Sequence, residues 1–454
     1  MCCAHARAPR RWPTPLNPSG CPATAAARSP RNARPRAYPC PPSWSTNCAG
    51  RPNAMPRRPR ARTSVHSRIA MTELTAYTRP DGRRGIRNLL AVVAATDAAN
   101  PVARRLAAAL PDCVAITPLY GRGQLGEDLA LSIRTMVGLG SHPNVYATLV
   151  VSLERVAGTR VYEGIRAAGT PCEVMGIQEE GGTPALFKRG LALLEQWRVQ
   201  AQAQRREPAR IADFVIGLEC GGSDTTSGLV ANPAIGLVTD RLVDEGATAI
   251  FSEPVECLGG EAALGARAAD AGVRERIDVT IRKYEDIARR AGVDLNKTNP
   301  APDNIRGGLT TIEEKSLGSI CKTGSRTIAG VLGYGQAASA PGLYLMDAPA
   351  PATENITALA AGGCHLILFA TGVGNSIGNP VSPTVKICGN DRTCRTFADH
   401  IDVDLSAVLL HGRSLEEAGT QVWDAMAAII NGQPTCCEVL GETETAISRI
   451  GESV

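Results

Sequence analysis

Short apolar runs alternate with segments of helical periodicity through most of the chain. Asn88–Ala95 (NLLAVVAA) reads as a buried strand, followed by the helical stretch NPVARRLAAAL. Val145–Leu153 reads as a second strand, followed by a helix through Ile165, a strand at EVMGI and a long helix from about Pro184 to Gln202. The polar, apolar-poor segment Gln200–Arg210 is the best linker candidate. Beyond it the rhythm resumes with strands at Ile211–Cys220 and Thr248–Pro254, helices near 232–245 and 273–291, further strands at LYLMDA, HLILFATG and TVKICG, and an amphipathic helix near Leu415–Ile430. Strand–helix alternation of this kind marks parallel sheets covered by helices. The expected fold is therefore α/β: two Rossmann-like domains with parallel or mixed sheets, 71–206 and a C-terminal domain 207–454, preceded by a disordered N-terminal extension.

Residues 1–70 break the pattern. They hold 13 Arg, 13 Pro and five Cys, with no Lys, Asp or Glu and no apolar periodicity. An Arg-rich, acid-free composition is that of an organellar transit peptide, yet the prolines would break its amphipathic helix. A Pro/Arg-rich disordered tail is a second reading, and a mis-assigned start, with translation beginning at Met71, is a third and preferred one. The segment is left out of the fold in each case.

Removing it reverses the charge. The whole chain carries a net +4, but residues 71–454 hold 35 basic and 44 acidic side chains. A mildly acidic body argues against nucleic acid as a partner. No apolar run is long enough for a membrane span. The ten cysteines of this part form no CxxC pair and no zinc-ribbon spacing, and read as reduced thiols in a cytoplasmic protein.

Walker A, HExxH and GxSxG strings are absent, and Gly372–Gly378 (GVGNSIG) is one residue too long for a dinucleotide loop. With four His in 71–454, proton transfer must lean on carboxylates, lysines or a lone histidine. Ligands of open α/β sheets sit beyond the carboxyl ends of strands, which directs attention to four turns. Cys220–Gly228 (CGGSDTTSG) places a thiol, a carboxylate and hydroxyls on a strand-to-helix turn whose free N–H groups suit an anion, although Ser223 or Asp224 could simply cap the next helix. Ser252–Glu261 carries Glu253, Glu256 and Glu261, suited to a divalent metal or to acid/base work, with a solvated loop as the bland alternative. In Asn299–Gly318, Thr310 or Thr311 can cap a helix bearing Glu314 and Lys315. Lys386–Asp404 gathers Lys, Arg, Cys, His and Asp, although Arg392 and Arg395 could be plain surface charges.

Five strings, in order, resemble the catalytic chain of the altronate and galactarate dehydratase family: RPDGRRGIRN, CGGSDTTSGLVANPAIG, NIRGGLTTIEEKSLG, APGLYLMDAPA and TGVGNSIGNPVSPTVKICGN. The resemblance covers residues 76–440. Within the family, YGRGQLGEDL, GNPVSPTVKICGNDRT and HIDVDLS are most similar to the large subunit of (2R)-sulfolactate sulfo-lyase, whereas CGGSD and ANPAIG look like the sugar-acid dehydratases. EPVECLGGE departs from the Thr-Pro-Glu order more common in relatives.

The resemblance implies removal of the C2 proton of a small 2-hydroxy acid and expulsion of water or sulfite from C3. Dehydration of a sugar acid such as altronate or galactarate is the first expectation, sulfite release from sulfolactate the alternative, and a non-catalytic family subunit the third. It also implies Fe²⁺ (or Mn²⁺), with Cys220, Asp224, Glu253 and Glu256 as candidate ligands. Lys315 or Lys386 is the candidate base or carboxylate anchor, and His400 the candidate proton donor. Ser223, Thr225, Asn375 and Arg392 are expected to bind the substrate. Single-chain relatives carry a small N-terminal domain that this sequence does not display, so a separate small subunit and an oligomer are expected.

Overall fold

The computed structural model describes residues 73–451 apart from Arg122; the proposed leader, 1–70, lies outside the described residues. The first lobe begins with β1 (Leu74–Thr78) and β2 (Arg84–Gly85), then β3 (Leu89–Ala94), β4 (Cys113–Ile116), β5 (Val145–Ser152) and β6 (Cys172–Gly176). The last four form a parallel sheet in the order β4-β3-β5-β6. Strand alternation splits β3 between two cores: Leu90 and Val92 face the helices Asn100–Ala108 and Thr183–Ala203, while Ala91 and Val93 face Gly126–Gly140 and Arg155–Ala167.

The expected linker is partly a strand. β7 (Glu207–Ala209) pairs antiparallel with β1, which itself pairs with β2, making a three-stranded sheet. The sequence pattern concealed it because a three-residue edge strand containing Pro208 shows no apolar alternation.

The second lobe contributes β8 (Val215–Cys220), β9 (Thr248–Phe251), β10 (Ile328–Leu332), β11 (Gly342–Met346), β12 (Leu366–Thr371), β13 (Thr384–Cys388) and β14 (Val403–Asp404). All seven join one parallel sheet in the order β10-β11-β9-β8-β12-β13-β14. Ile216, Leu218, Leu366 and Leu368 point to one core, against the helices Asn232–Asp244, Ala271–Arg290 and Leu415–Ile430. Ile250, Ile367 and Phe369 point to the other, which is continuous with the first lobe through the helix Ala352–Ala361. That helix crosses Gly126–Gly140 so closely that a Cβ on Gly138 would lie 2.2 Å from the Ala361 carbonyl oxygen, so only glycine fits. No described helix is long and apolar enough to cross a membrane.

Candidate active site

The central strands β8 and β9 end side by side, and their polar residues gather there. On β8, alternation sends Cys220 to one face and Glu219 to the other.

On the Cys220 face, the thiol lies 3.0 Å from Ser223 Oγ and accepts from Asn232 Nδ2 at 3.4 Å. The Cys220 N–H donates to Glu253 Oε2 at 3.1 Å. Glu253 directly follows Ser252 after β9 and adopts φ 64, a left-handed conformation that costs a non-glycine residue about 1 kcal/mol or more. That geometry is held by its partners: Lys322 Nζ donates to the same oxygen at 2.8 Å and to Ser319 Oγ at 2.8 Å. Both ends of this ion pair are buried. Burial alone would push the Lys322 ammonium down, but the Glu253 carboxylate, with Cys220 and Glu219 nearby, outweighs it and keeps the lysine charged. A second pair, Lys315 with Glu256 at 2.8 Å, lies alongside, and Lys315 Nζ also donates to Asn299 Oδ1 at 2.9 Å.

The opposite face carries a row set by strand register. Phe251 pairs with Leu218, so Ser252 falls level with Glu219; Glu219 pairs with Phe369, and Phe369 with Lys386. Neighbouring strands lie about 4.8 Å apart, so the four side chains form one line across β9, β8, β12 and β13. Ser252 Oγ donates to Asn355 Oδ1 at 2.6 Å. Neither oxygen of Glu219 has a hydrogen-bond partner, nor has Asn355 Nδ2, although all are buried. Burial, then the Glu253 charge, raises the Glu219 carboxyl well above the usual range, against the opposing pull of Lys322 and Lys386. At the far end, Lys386 Nζ sits 3.3 Å from the Phe369 ring centroid, donates to the Ile377 carbonyl at 2.6 Å and lies 3.4 Å from Asn375 Oδ1. Burial lowers this lysine to about 8, with Cys437, Glu219 and Asp402 opposing. Gly221 closes over the row: a Cβ there would come within 2.8 Å of the Phe369 ring.

The remaining sequence candidates fall into three places. Ser223, Asp224, Thr225 and Lys315 line one cavity of about 260 Å³ with Asn232 and Ser319. Thr225 Oγ1 donates to the Gly307 carbonyl at 3.0 Å, and the helix bearing Lys315 is capped by Thr311. Lys386 and Asn375 stand together at the end of the row described above. Arg392 is exposed on the short helix Asp391–Thr396, and His400 lies 3.0 Å from Glu442, its ring against Phe397. Glu219, Lys322, Asn232, Ser252 and Asn355 were not singled out from the sequence. For Glu219 a signal existed: a lone charge inside an apolar strand.

The four residues expected to hold Fe²⁺ or Mn²⁺ do not form a ligand set as folded. Asp224 Oδ1 accepts from Thr226 Oγ1 and the Ser227 N–H, and Oδ2 from Asn390 Nδ2 at 2.6 Å, so it caps its own turn. Glu253 and Glu256 are each neutralised by a lysine. Burial pushes the Cys220 thiol up to about 11, away from the thiolate that binds metals. Among the described residues, no three His, Cys, Asp or Glu side chains are grouped to hold a metal ion.

Comparison with known proteins covers residues 76–453 almost throughout. The C-terminal domain of the D-galactarate/altronate dehydratases matches residues 211–453, and the second domain of the D-galactarate dehydratase/altronate hydrolase group matches 76–202. The chain is 40% identical over 379 residues to (2R)-sulfolactate sulfo-lyase subunit beta of Chromohalobacter salexigens, spanning 83% of this chain and 97% of that protein. It is 32% identical over 400 residues to altronate dehydratase of Escherichia coli, spanning 85% and 79% respectively. Galactarate dehydratase (L-threo-forming) of Escherichia coli is 29% identical over 310 residues, 66% of this chain and 59% of that protein.

Proposed function

This chain belongs to the D-galactarate/altronate dehydratase family, and from that premise we propose that it is the large subunit of a lyase acting on a small 2-hydroxy carboxylate. Release of sulfite from a 3-sulfo-2-hydroxy acid of the sulfolactate type is the leading reaction. The sequence reading placed sugar-acid dehydration first; the order changes because the 40% identity extends over 97% of the sulfo-lyase subunit. That relative's designation as a subunit supports a separate small chain as partner. None of the ten cysteines among the described residues forms a disulfide, which fits a reducing, cytoplasmic setting.

The observation that carries the reading is Lys386, a buried lysine of β13 that is lowered to about 8 and stands beside Asn375 in the loop after β12. A base whose pKa lies near the working pH is best suited to abstract a proton. The C2 proton passes to Lys386 Nζ, and the C2–H electron pair forms the C2–C3 double bond. The C3–S bond breaks, its electron pair leaving with sulfite. The enol then tautomerises to a 2-keto acid. Lys322, buried and held charged, supplies fixed positive charge as the substrate carboxylate gains electron density. Asn375, 3.4 Å from Lys386 Nζ, is the residue we assign to orient the substrate beside the base, with Ser223 on the Cys220 face as a second assigned contact.

Dehydration of an altronate- or galactarate-type acid is the second reading. It needs a proton on the departing hydroxyl, and we assign that role to Glu219, a buried carboxyl raised above its usual range with both oxygens free of partners.

The test is an assay of the chain together with its small subunit on (2R)-3-sulfolactate, altronate and galactarate, scoring sulfite and 2-keto acid separately. Equal amounts of sulfite and pyruvate from sulfolactate are expected. A 2-keto acid formed from altronate or galactarate but not from sulfolactate would transfer the assignment to dehydration. No product from any of the three would remove the lyase reading for these substrates.

A further inference from the structure

A second cleft, of about 240 Å³, lies at the amino end of β3, and neither Lys386 nor Lys322 lines it. Its walls come from both lobes: Tyr77 of β1, Arg87 just before β3, Arg198 of the helix Thr183–Ala203, Arg206 beyond that helix, and Gly432 after the helix Leu415–Ile430.

The charges here are poorly matched. Arg87 is neutralised by a two-pronged contact with Glu438 at 2.8 and 2.9 Å. Arg206 is not: its guanidinium lies over the Tyr77 ring and donates to the carbonyls of Thr75, Ile86 and Ile430. Arg79, buried beneath, donates to the Pro143 and Arg87 carbonyls and to the side-chain oxygens of Asn88 and Gln204. All these acceptors are neutral. Burial, reinforced by the neighbouring charge of Arg83, lowers Arg79 to about 10, and burial lowers Arg206 as well. Arg198 differs from both. Its Nε is buried without a partner, so it ties nothing together. Asp112, exposed and held at φ 60, is the carboxylate among the lining residues. Staple roles account for Arg79 and Arg206, but not for Arg198, which lines the cleft with no hydrogen-bond partner at its buried Nε.

We propose that this cleft is a binding site for a small multivalent oxyanion, such as phosphate, sulfate or a dicarboxylate, gripped by the free guanidinium of Arg198 in the field of Arg206 and Arg79. A planar guanidinium fork matches such oxyanions through paired hydrogen bonds. Because the walls come from both lobes, the bound anion would brace one against the other. The site is independent of the lyase chemistry.

Calorimetric titration of the full chain with sodium phosphate, sodium sulfate and sodium succinate, at ionic strength held constant with sodium chloride, tests this. Saturable binding of at least one anion is expected, and the rank order identifies the source. Arg198→Met should weaken it by about tenfold or more, the loss of one charge-assisted contact. Arg198→Lys, which keeps charge without the fork, should fall between. Asp112→Asn should tighten binding several-fold by removing the repelling carboxylate. No saturable binding, an Arg198→Met affinity within about twofold of the parent, or an equal response to chloride alone would overturn the proposal.

Discussion

Replacing Lys386 with methionine is expected to lower turnover by about 10²–10⁴-fold, the usual worth of a positioned acid or base, while making the folded chain more stable at pH 7. The two effects have one cause. Lys386 is fully buried and carries its charge on a ring face, a carbonyl and an amide oxygen. Burial brings it to about 8 in the folded chain, against about 10.4 when unfolded. Below pH 8 both states are protonated, and folding bears the whole cost of burying the ammonium, roughly 3 kcal/mol from that difference. Between these values the unfolded chain binds more protons than the folded one, so stability rises with pH. Above about 10.4 the cost is gone. Methionine, similar in shape and uncharged, should therefore gain most at pH 7 and little near pH 10.5. Urea denaturation at the two pH values checks the sign. The parent's kcat/KM should climb with pH and level off above about 8, and the variant's residual activity should lose that dependence. A variant that is less stable at pH 7, or a parent profile flat from pH 6 to 9, would remove Lys386 as the base.

How far the sequence reveals this arrangement depends on which forces decide each part. β3, β5 and β12 are legible because both faces of a central parallel strand are buried, leaving runs such as NLLAVVAA and HLILFATG with no polar interruption. β1 and β7 are not, because each gains its identity only from the other, far apart along the chain. The candidate turns stand out through clustered polar residues among glycines. What the strings do not reveal is which side chains meet. Lys386 was named, but its closeness to Glu219 arises from register across β12. Glu253 and Glu256 look like free carboxylates in sequence, and only the fold brings Lys322 and Lys315 against them from elsewhere in the chain. Asn355 reads as one of four polar residues in an Ala-rich helix, and its burial against Ser252 follows from how that helix lies on the sheet.

The Glu253–Lys322 pair yields the second large effect. Lys322→Met is expected to destabilise the chain by roughly 3–5 kcal/mol, because it leaves a buried carboxylate without its cation. Glu253→Gln keeps an oxygen for the Cys220 N–H but strands the Lys322 ammonium with Ser319 Oγ as its remaining side-chain acceptor, and should also be costly. The double variant removes both charges together, so its loss should fall short of the summed single losses by about 1–3 kcal/mol, in the range found for directly contacting groups. Urea unfolding of the four proteins measures that difference; losses that add within about 0.5 kcal/mol would show no coupling. The comparison also separates structure from chemistry. If the double variant recovers stability and remains inactive, fixed positive charge at Lys322 is needed for the reaction itself. If activity returns with stability, the pair only holds the left-handed turn at Glu253 against the end of β8, and the Lys322 charge is not what meets the substrate.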